Sequence, residues 1–203
     1  MRTLCRKNSE IMKNFIREDQ LFSLCGLNCG LCSMHLGGHC PGCGGGAGNQ
    51  PCKIAKCSLE HGKIAYCNQC ESFPCEKYSG EDEYDSFITY RNRYRDFEKL
   101  KKIGVKAYQE EQREKAAILK ELLENYNDGR KKTFFCLAVN LLELNDLRKV
   151  MGQIKEDAPE LSVKEKAARM AGLFQEAAAQ KGISIKLRKR SAKEKEMQQR
   201  ERI

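Results

Sequence analysis

The chain has 203 residues, 40% of them hydrophobic and 32% charged, with twelve cysteines and no tryptophan. That length fits one domain, or one domain with a small module, and the composition suits a soluble, rather helical protein with a modest core. The formal charge of +9 is concentrated at one end: residues 181–203 hold nine Lys or Arg against three Asp or Glu. The near-neutral body lacks the overall basic field of a nucleic-acid-binding domain.

The first twenty residues, MRTLCRKNSEIMKNFIREDQ, contain basic side chains but no continuous apolar stretch and no small-residue cleavage site, so they do not read as a signal peptide. No apolar run approaches the roughly 20 residues a membrane span needs. The expected location is cytoplasmic. Residues 1–24 are expected to be a helical lead-in: Ile11, Phe15, Ile16, Leu21 and Phe22 give a rough apolar face over 9–23, with Asn8 or Ser9 placed to cap it.

Residues 25–79 hold ten of the twelve cysteines, ten of the sixteen glycines, all three histidines and three of the four prolines. No helical or strand period persists there. The segment is expected to be a loop-rich module that needs cross-links to hold a shape. Gly44 to Gly48 is a flexible spacer: neither a preceding strand nor a following Lys-Ser/Thr supports a phosphate loop.

From residue 81 the pattern turns helical, and residues 80–182 are expected to be a small bundle of four or five helices. Ile88, Tyr94, Phe97 and Leu100 suggest one helix ending before Gly104. Ile118, Leu119, Leu122, Leu123 and Tyr126 recur at three- and four-residue spacing in a second, Val105 to Tyr126, which Asn127-Asp128-Gly129 stops. Residues 132–142 (KTFFCLAVNLL) are apolar nearly all round and read as a buried helix. Leu147, Val150, Met151 and Ile154 mark another, ended by Asp157-Ala158-Pro159. Ser162 and Glu165 form a capping box for a helix to about Gln180. Ile183, Ile185 and Leu187 alternate like a short strand within the basic tail, residues 183–203. The fold class is therefore mainly α: a cysteine-rich, metal-stabilised N-terminal module followed by a helical bundle.

The chemistry lies in the cysteine spacing. Cys25, Cys29, Cys32, Cys40, Cys43, Cys52, Cys57, Cys67, Cys70 and Cys75 include three CxxC pairs, at 29/32, 40/43 and 67/70. A two-residue gap lets a tight turn aim both sulfurs at one ion. In a reducing compartment such a set favours metal over disulfides, and all ten are candidate ligands. Four-thiolate sites suit zinc, and thiolates suit iron–sulfur clusters equally. Ten does not divide by four, so the arrangement stays open: two sites with two thiols left over, or a two-metal cluster plus a third ion. The expected cofactor is zinc, two or three ions, with a [4Fe–4S] cluster as the alternative. Cys25-x3-Cys29-x2-Cys32 matches the cluster-binding spacing of radical S-adenosylmethionine enzymes, but no βαβ alternation follows it. His35, His39 and His61 read as solvated loop histidines; His39 beside Cys40 is the best substitute ligand. Cys136 reads as a small buried hydrophobe and Cys5 as a free thiol.

The strings CGLNCGLC (25–32), CPGC (40–43), CKIAKC (52–57), the Cys67/Cys70 pair and FPCE (73–76) resemble the bacterial and archaeal domain of unknown function 3795. ILKELLENYNDGRKKTFFCLAVNLL (118–142) is similar to its longer members, so the resemblance spans about residues 21–155. It implies a metal-binding cysteine module with cysteine-only ligation and supplies no catalytic residues.

The sequence thus points to a zinc-binding protein whose metals are structural and whose helices or tail bind a protein partner. An iron–sulfur electron-transfer or sensing protein is the first alternative. A nucleic-acid-binding zinc module, using KLRKR (186–190), is the second. No acid/base pair or nucleophile–His–acid set is visible, although a zinc site with three protein ligands would leave a position for water.

Overall fold

The computed structural model describes residues 15–46, 52–79, 83–155 and 161–191. It is mainly helical, with α1 (Ser33–Leu36), α2 (Lys53–Glu60), α3 (Arg93–Ile103), α4 (Val105–Asn125), α5 (Lys132–Leu141), α6 (Leu144–Lys155) and α7 (Val163–Ala179). Three single 3-10 turns, Cys29–Leu31, Cys67–Gln69 and Glu76–Tyr78, punctuate the cysteine-rich part. Among the described residues the only β pairing is an isolated bridge between Ile16 and Gly45.

The long helix α4 is the centre of the bundle and packs on α3, α5 and α6, while α7 closes the far side against α5 and α6. Its apolar stripe delivers Ile118, Leu119 and Leu122 into a core shared with Phe135, Val139, Leu142, Leu147 and Phe174. The expected capping box is formed: Ser162 Oγ accepts from the Glu165 N–H, and the Glu165 carboxylate accepts from the Ser162 N–H. This satisfies N–H groups that an α-helix leaves unpaired at its start.

Three expectations change. The 9–23 helix lies partly outside the described residues, and what is described of it, 15–23, is not helical. Asp19 Oδ1 instead accepts from the N–H groups of Leu21 and Phe22, a local turn that competes with helix formation. Helix α3 begins at Arg93 rather than near residue 81, because Asp85 folds residues 85–90 into a closed loop by accepting from Thr89 Oγ1 and the Tyr90 N–H. Residues 183–190 form no strand. They lie as a strap across that loop, held where Arg188 N–H and guanidinium donate to Asp85 and where Arg91 donates to the carbonyls of Ser184 and Lys186. Burial opposes ionisation of Asp85, but the bonds from Arg188 outweigh it and hold the carboxyl below its ordinary pKa. The stop expected at 157–159 and the tail beyond 191 lie outside the described residues.

The cysteine-rich part and the helices meet in a seam of aromatic rings. Phe22 stands 4.8 Å from Tyr108 and 5.5 Å from Phe97, centroid to centroid, and Phe73 lies 5.1 Å from Phe97. Edge-on rings at these separations attract beyond their buried area. The CGLNCGLC segment supplies three further contacts. Leu31 enters the helical core, and Asn28 donates to Asp96 at 2.7 Å and accepts from the Tyr108 hydroxyl. Gly26, at φ +83°, sits so close to Phe97 that a Cβ there would come within 2.5 Å of the ring.

Candidate metal centre

Two of the three CxxC pairs bracket a single 3-10 turn. The Cys32 N–H donates to the Cys29 carbonyl at 3.1 Å, and the Cys70 N–H donates to the Cys67 carbonyl at 3.0 Å. The third, Cys40-Pro-Gly-Cys43, is held by the glycines after it: a Cβ on Gly45 would stand 1.9 Å from the Pro41 carbonyl oxygen, so only glycine lets the chain turn back so tightly.

The thiols fall into two neighbourhoods that touch where Cys25 approaches Cys67. In the first, the Ser23 hydroxyl lies 3.2 Å from Cys25 Sγ and also reaches the Cys29 thiol. Burial pushes the Cys25 thiol up to about 11; Ser23 and Arg93 oppose the shift, while Cys43 and Cys52 add to it. Burial likewise raises Cys29 strongly, with Cys25, Cys43 and Cys32 adding to the effect. It raises Cys43 too, against the Arg17 guanidinium and a hydrogen bond from the Leu24 N–H. Cys52, exposed, precedes α2.

In the second neighbourhood Cys57, Cys67, Cys70 and Cys75 line one cavity of about 30 Å³ walled by Ile54 and Phe73. Burial pushes the Cys67 thiol up to about 12; Tyr78 opposes the shift, and Cys25, Cys75 and Cys57 contribute to it. The Tyr78 hydroxyl is buried beside Cys67 and approaches its sulfur without completing a hydrogen bond of full geometry. His61 is at the rim: its Nδ1 lies 3.6 Å from Cys57 Sγ but only 2.8 Å from the Cys57 carbonyl.

Of the ten expected ligands, Cys32 is near enough to Cys29 to add to its shift but also reaches toward the helices. Cys32 leads into α1 and faces Cys136 of α5, whose thiol burial pushes up to about 12. The Cys40 carbonyl is paired with His35 Nδ1 at 3.1 Å. His39 is exposed. Cys136 is buried in the helical core, as its apolar run implies. Among the described residues no three His, Cys, Asp or Glu side chains are drawn together at metal-holding distance. The thiols surround their cavity without meeting in it.

Several residues around the thiols have no signature in the sequence. Arg93 is 1% exposed, stacked between the rings of Tyr78 (4.9 Å) and Tyr90 (4.7 Å), and its charge favours the Cys25 thiolate. Arg17 donates to the carbonyls of Asp19, Phe22 and Ala65 and favours the Cys43 thiolate. Ionised Cys25 and Cys43 would gain from these two charges. A cavity of about 370 Å³ lies away from most of these groups, between Arg17, Lys63, Tyr66 and Gln109. Two of its polar groups are committed to each other: the Tyr66 hydroxyl donates to Asp19 at 2.6 Å.

No helix of the described residues is long and apolar enough to cross a membrane. Comparison with family models, with curated proteins and with solved structures finds no match to this chain.

Proposed function

We propose that this chain is a metal-binding protein in which zinc ions hold the cysteine-rich segment in shape while the helices and strap offer surface to a partner. The observation that carries the reading is that Cys57, Cys67, Cys70 and Cys75 line one small cavity. The residues fit the metal: soft sulfur donors, two of them bracketing a tight turn, in largely apolar surroundings, with the Arg93 guanidinium over the neighbouring Tyr78 ring. Zinc would supply cross-linking there, since a site closed by protein ligands leaves no position for chemistry. Free thiols whose pKa burial has raised must lose protons to bind it, so affinity rises with pH. The resemblance to domain of unknown function 3795 supports the same reading. The test is elemental analysis of the full chain purified without oxygen. Two or three zinc ions per chain are expected. A brown protein containing iron and sulfide would replace this reading with the electron-transfer or sensing alternative.

One observation favours nucleic acid over protein as the partner. The strap carries exposed Lys186 and Lys189 past the 85–90 loop, with Arg190 stacked 4.8 Å from the Tyr84 ring centroid and Phe87 64% exposed. Cations beside an exposed aromatic face suit a single strand. A salt-sensitive shift with single-stranded RNA or DNA, lost in Phe87→Ala with Lys189→Glu, is expected; no shift at low salt would remove this partner.

A further inference from the structure

We propose that Cys57, Cys67, Cys70 and Cys75 form one closed four-thiolate zinc site whose Cys67 sulfur accepts a hydrogen bond from the Tyr78 hydroxyl. The proposal rests on the metal-binding reading above and assigns the ligands of one of its ions.

The four thiols come from three short pieces of chain that α2 and two 3-10 turns place around a common point. Cys57 lies on α2, Cys67 and Cys70 bracket the first turn, and Cys75 leads into the second, where the Tyr78 N–H donates to its carbonyl at 2.9 Å. The space they line, about 30 Å³, suits one ion rather than an organic ligand. Ile54, Ile64 and Phe73 give it apolar walls, and His61 and Lys77 stand at its open side.

Tyr78 is the second and independent observation. It is 5% exposed, lines the same cavity, and its hydroxyl lies beside the Cys67 thiol without completing a hydrogen bond of full geometry among the described residues. Buried hydroxyls are rarely left so. A neutral thiol is a weak acceptor, whereas a thiolate on a metal is a strong one. Metal binding would therefore complete a bond for which the donor is already in place. The Arg93 guanidinium over the Tyr78 ring brings positive charge toward the same side, where an ion held by four thiolates carries net negative charge.

His61, exposed at the rim, is the competing ligand: its Nδ1 directs its proton to the Cys57 carbonyl at 2.8 Å, which leaves Nε2 as the nitrogen a metal would take, so substitution has to separate it from the four thiols. On binding, the four thiols release their protons to solvent and Zn²⁺ takes four sulfur electron pairs. No oxidant or reductant is involved.

The test measures zinc per full-length chain, and the absorption of the Co²⁺-substituted protein, in the wild type and in Cys70→Ser, His61→Ala and Tyr78→Phe. Cys70→Ser is expected to lose one zinc per chain. His61→Ala is expected to keep the wild-type count and a four-thiolate cobalt spectrum. Tyr78→Phe, which removes only the hydroxyl, is expected to keep the count but to release zinc to a competing chelator about 10–100-fold more readily. A wild-type count retained in Cys70→Ser, or one ion lost in His61→Ala, would overturn the ligand set. Unchanged affinity in Tyr78→Phe would overturn the hydrogen bond and can be read even if Cys70→Ser fails to fold. A wild type with no metal, or with iron, would overturn the parent reading instead.

Discussion

Residues 93–179 and residues 15–79 bury themselves by different means. In the helices Leu119, Leu122, Phe135, Val139, Leu142 and Phe174 are all 0% exposed and belong to one continuous aliphatic and aromatic core. In the cysteine-rich part the separate cluster has five buried members, Phe15, Leu24, Ile54, Ala55 and Tyr78, and much of what packs against them is sulfur: Cys25, Cys43, Cys67 and Cys75. A thiol side chain covers little area, and the loops it holds must still be ordered at a backbone cost of about 1–2 kcal/mol per residue. Structural zinc contributes roughly 10–16 kcal/mol in apparent binding free energy. On the proposed reading one region is held by transfer of apolar surface from water and the other by its ligands, and the aromatic seam between them lets each brace the other.

Variants chosen on either side of the seam separate these contributions. The largest effect is expected for Phe135→Ala, which empties the centre of the helical core: a loss of about 3–5 kcal/mol in denaturant unfolding, with zinc content unchanged. A fall in zinc content would show that the helices, not the thiols, set the site. Gly26→Ala addresses the seam. Its Cβ meets Phe97 and the residue must keep a positive φ, so a loss of about 1–3 kcal/mol is expected, and an unchanged midpoint would mean that the seam yields freely.

Asp96 gives the comparison a pH axis. Burial pushes its carboxyl up to about 6 against the opposing influence of Lys115, Asn28 and Arg95. A folded pKa above the unfolded value gives stability that is complete below about pH 4 and is lost as pH rises through about 6. Wild type should therefore lose about 1 kcal/mol relative to Asp96→Asn between pH 5 and pH 7, measured as the difference in urea midpoints with zinc in excess. Parallel pH profiles would contradict the assignment. The smallest effect is expected for Ser162→Ala, about 1 kcal/mol from loss of the α7 cap, with no change in protection of residues 15–79.

The helices were largely legible in the sequence because their information is local. The three- and four-residue spacing of Ile118, Leu119, Leu122 and Leu123, and the Ser162/Glu165 pair, each act within a turn or two of chain. The strap and the late start of α3 were not legible, because Asp85 and Arg188 are 103 residues apart and nothing in either neighbourhood announces the other. The cysteine spacing identified candidate ligands but not their grouping. Grouping depends on how α2 and two short turns meet, and on Tyr78 and Arg93, whose roles exist only once the chain has folded.

The central claim is that ligands hold residues 15–79 while apolar burial holds the helices. Amide hydrogen exchange on the full-length chain, with zinc bound and after removal by a chelator under reducing conditions, tests it most directly. The account predicts that amides of residues 53–78 lose most of their protection while those of 118–122 and 135–141 keep theirs. Equal protection of residues 53–78 in both states would contradict it.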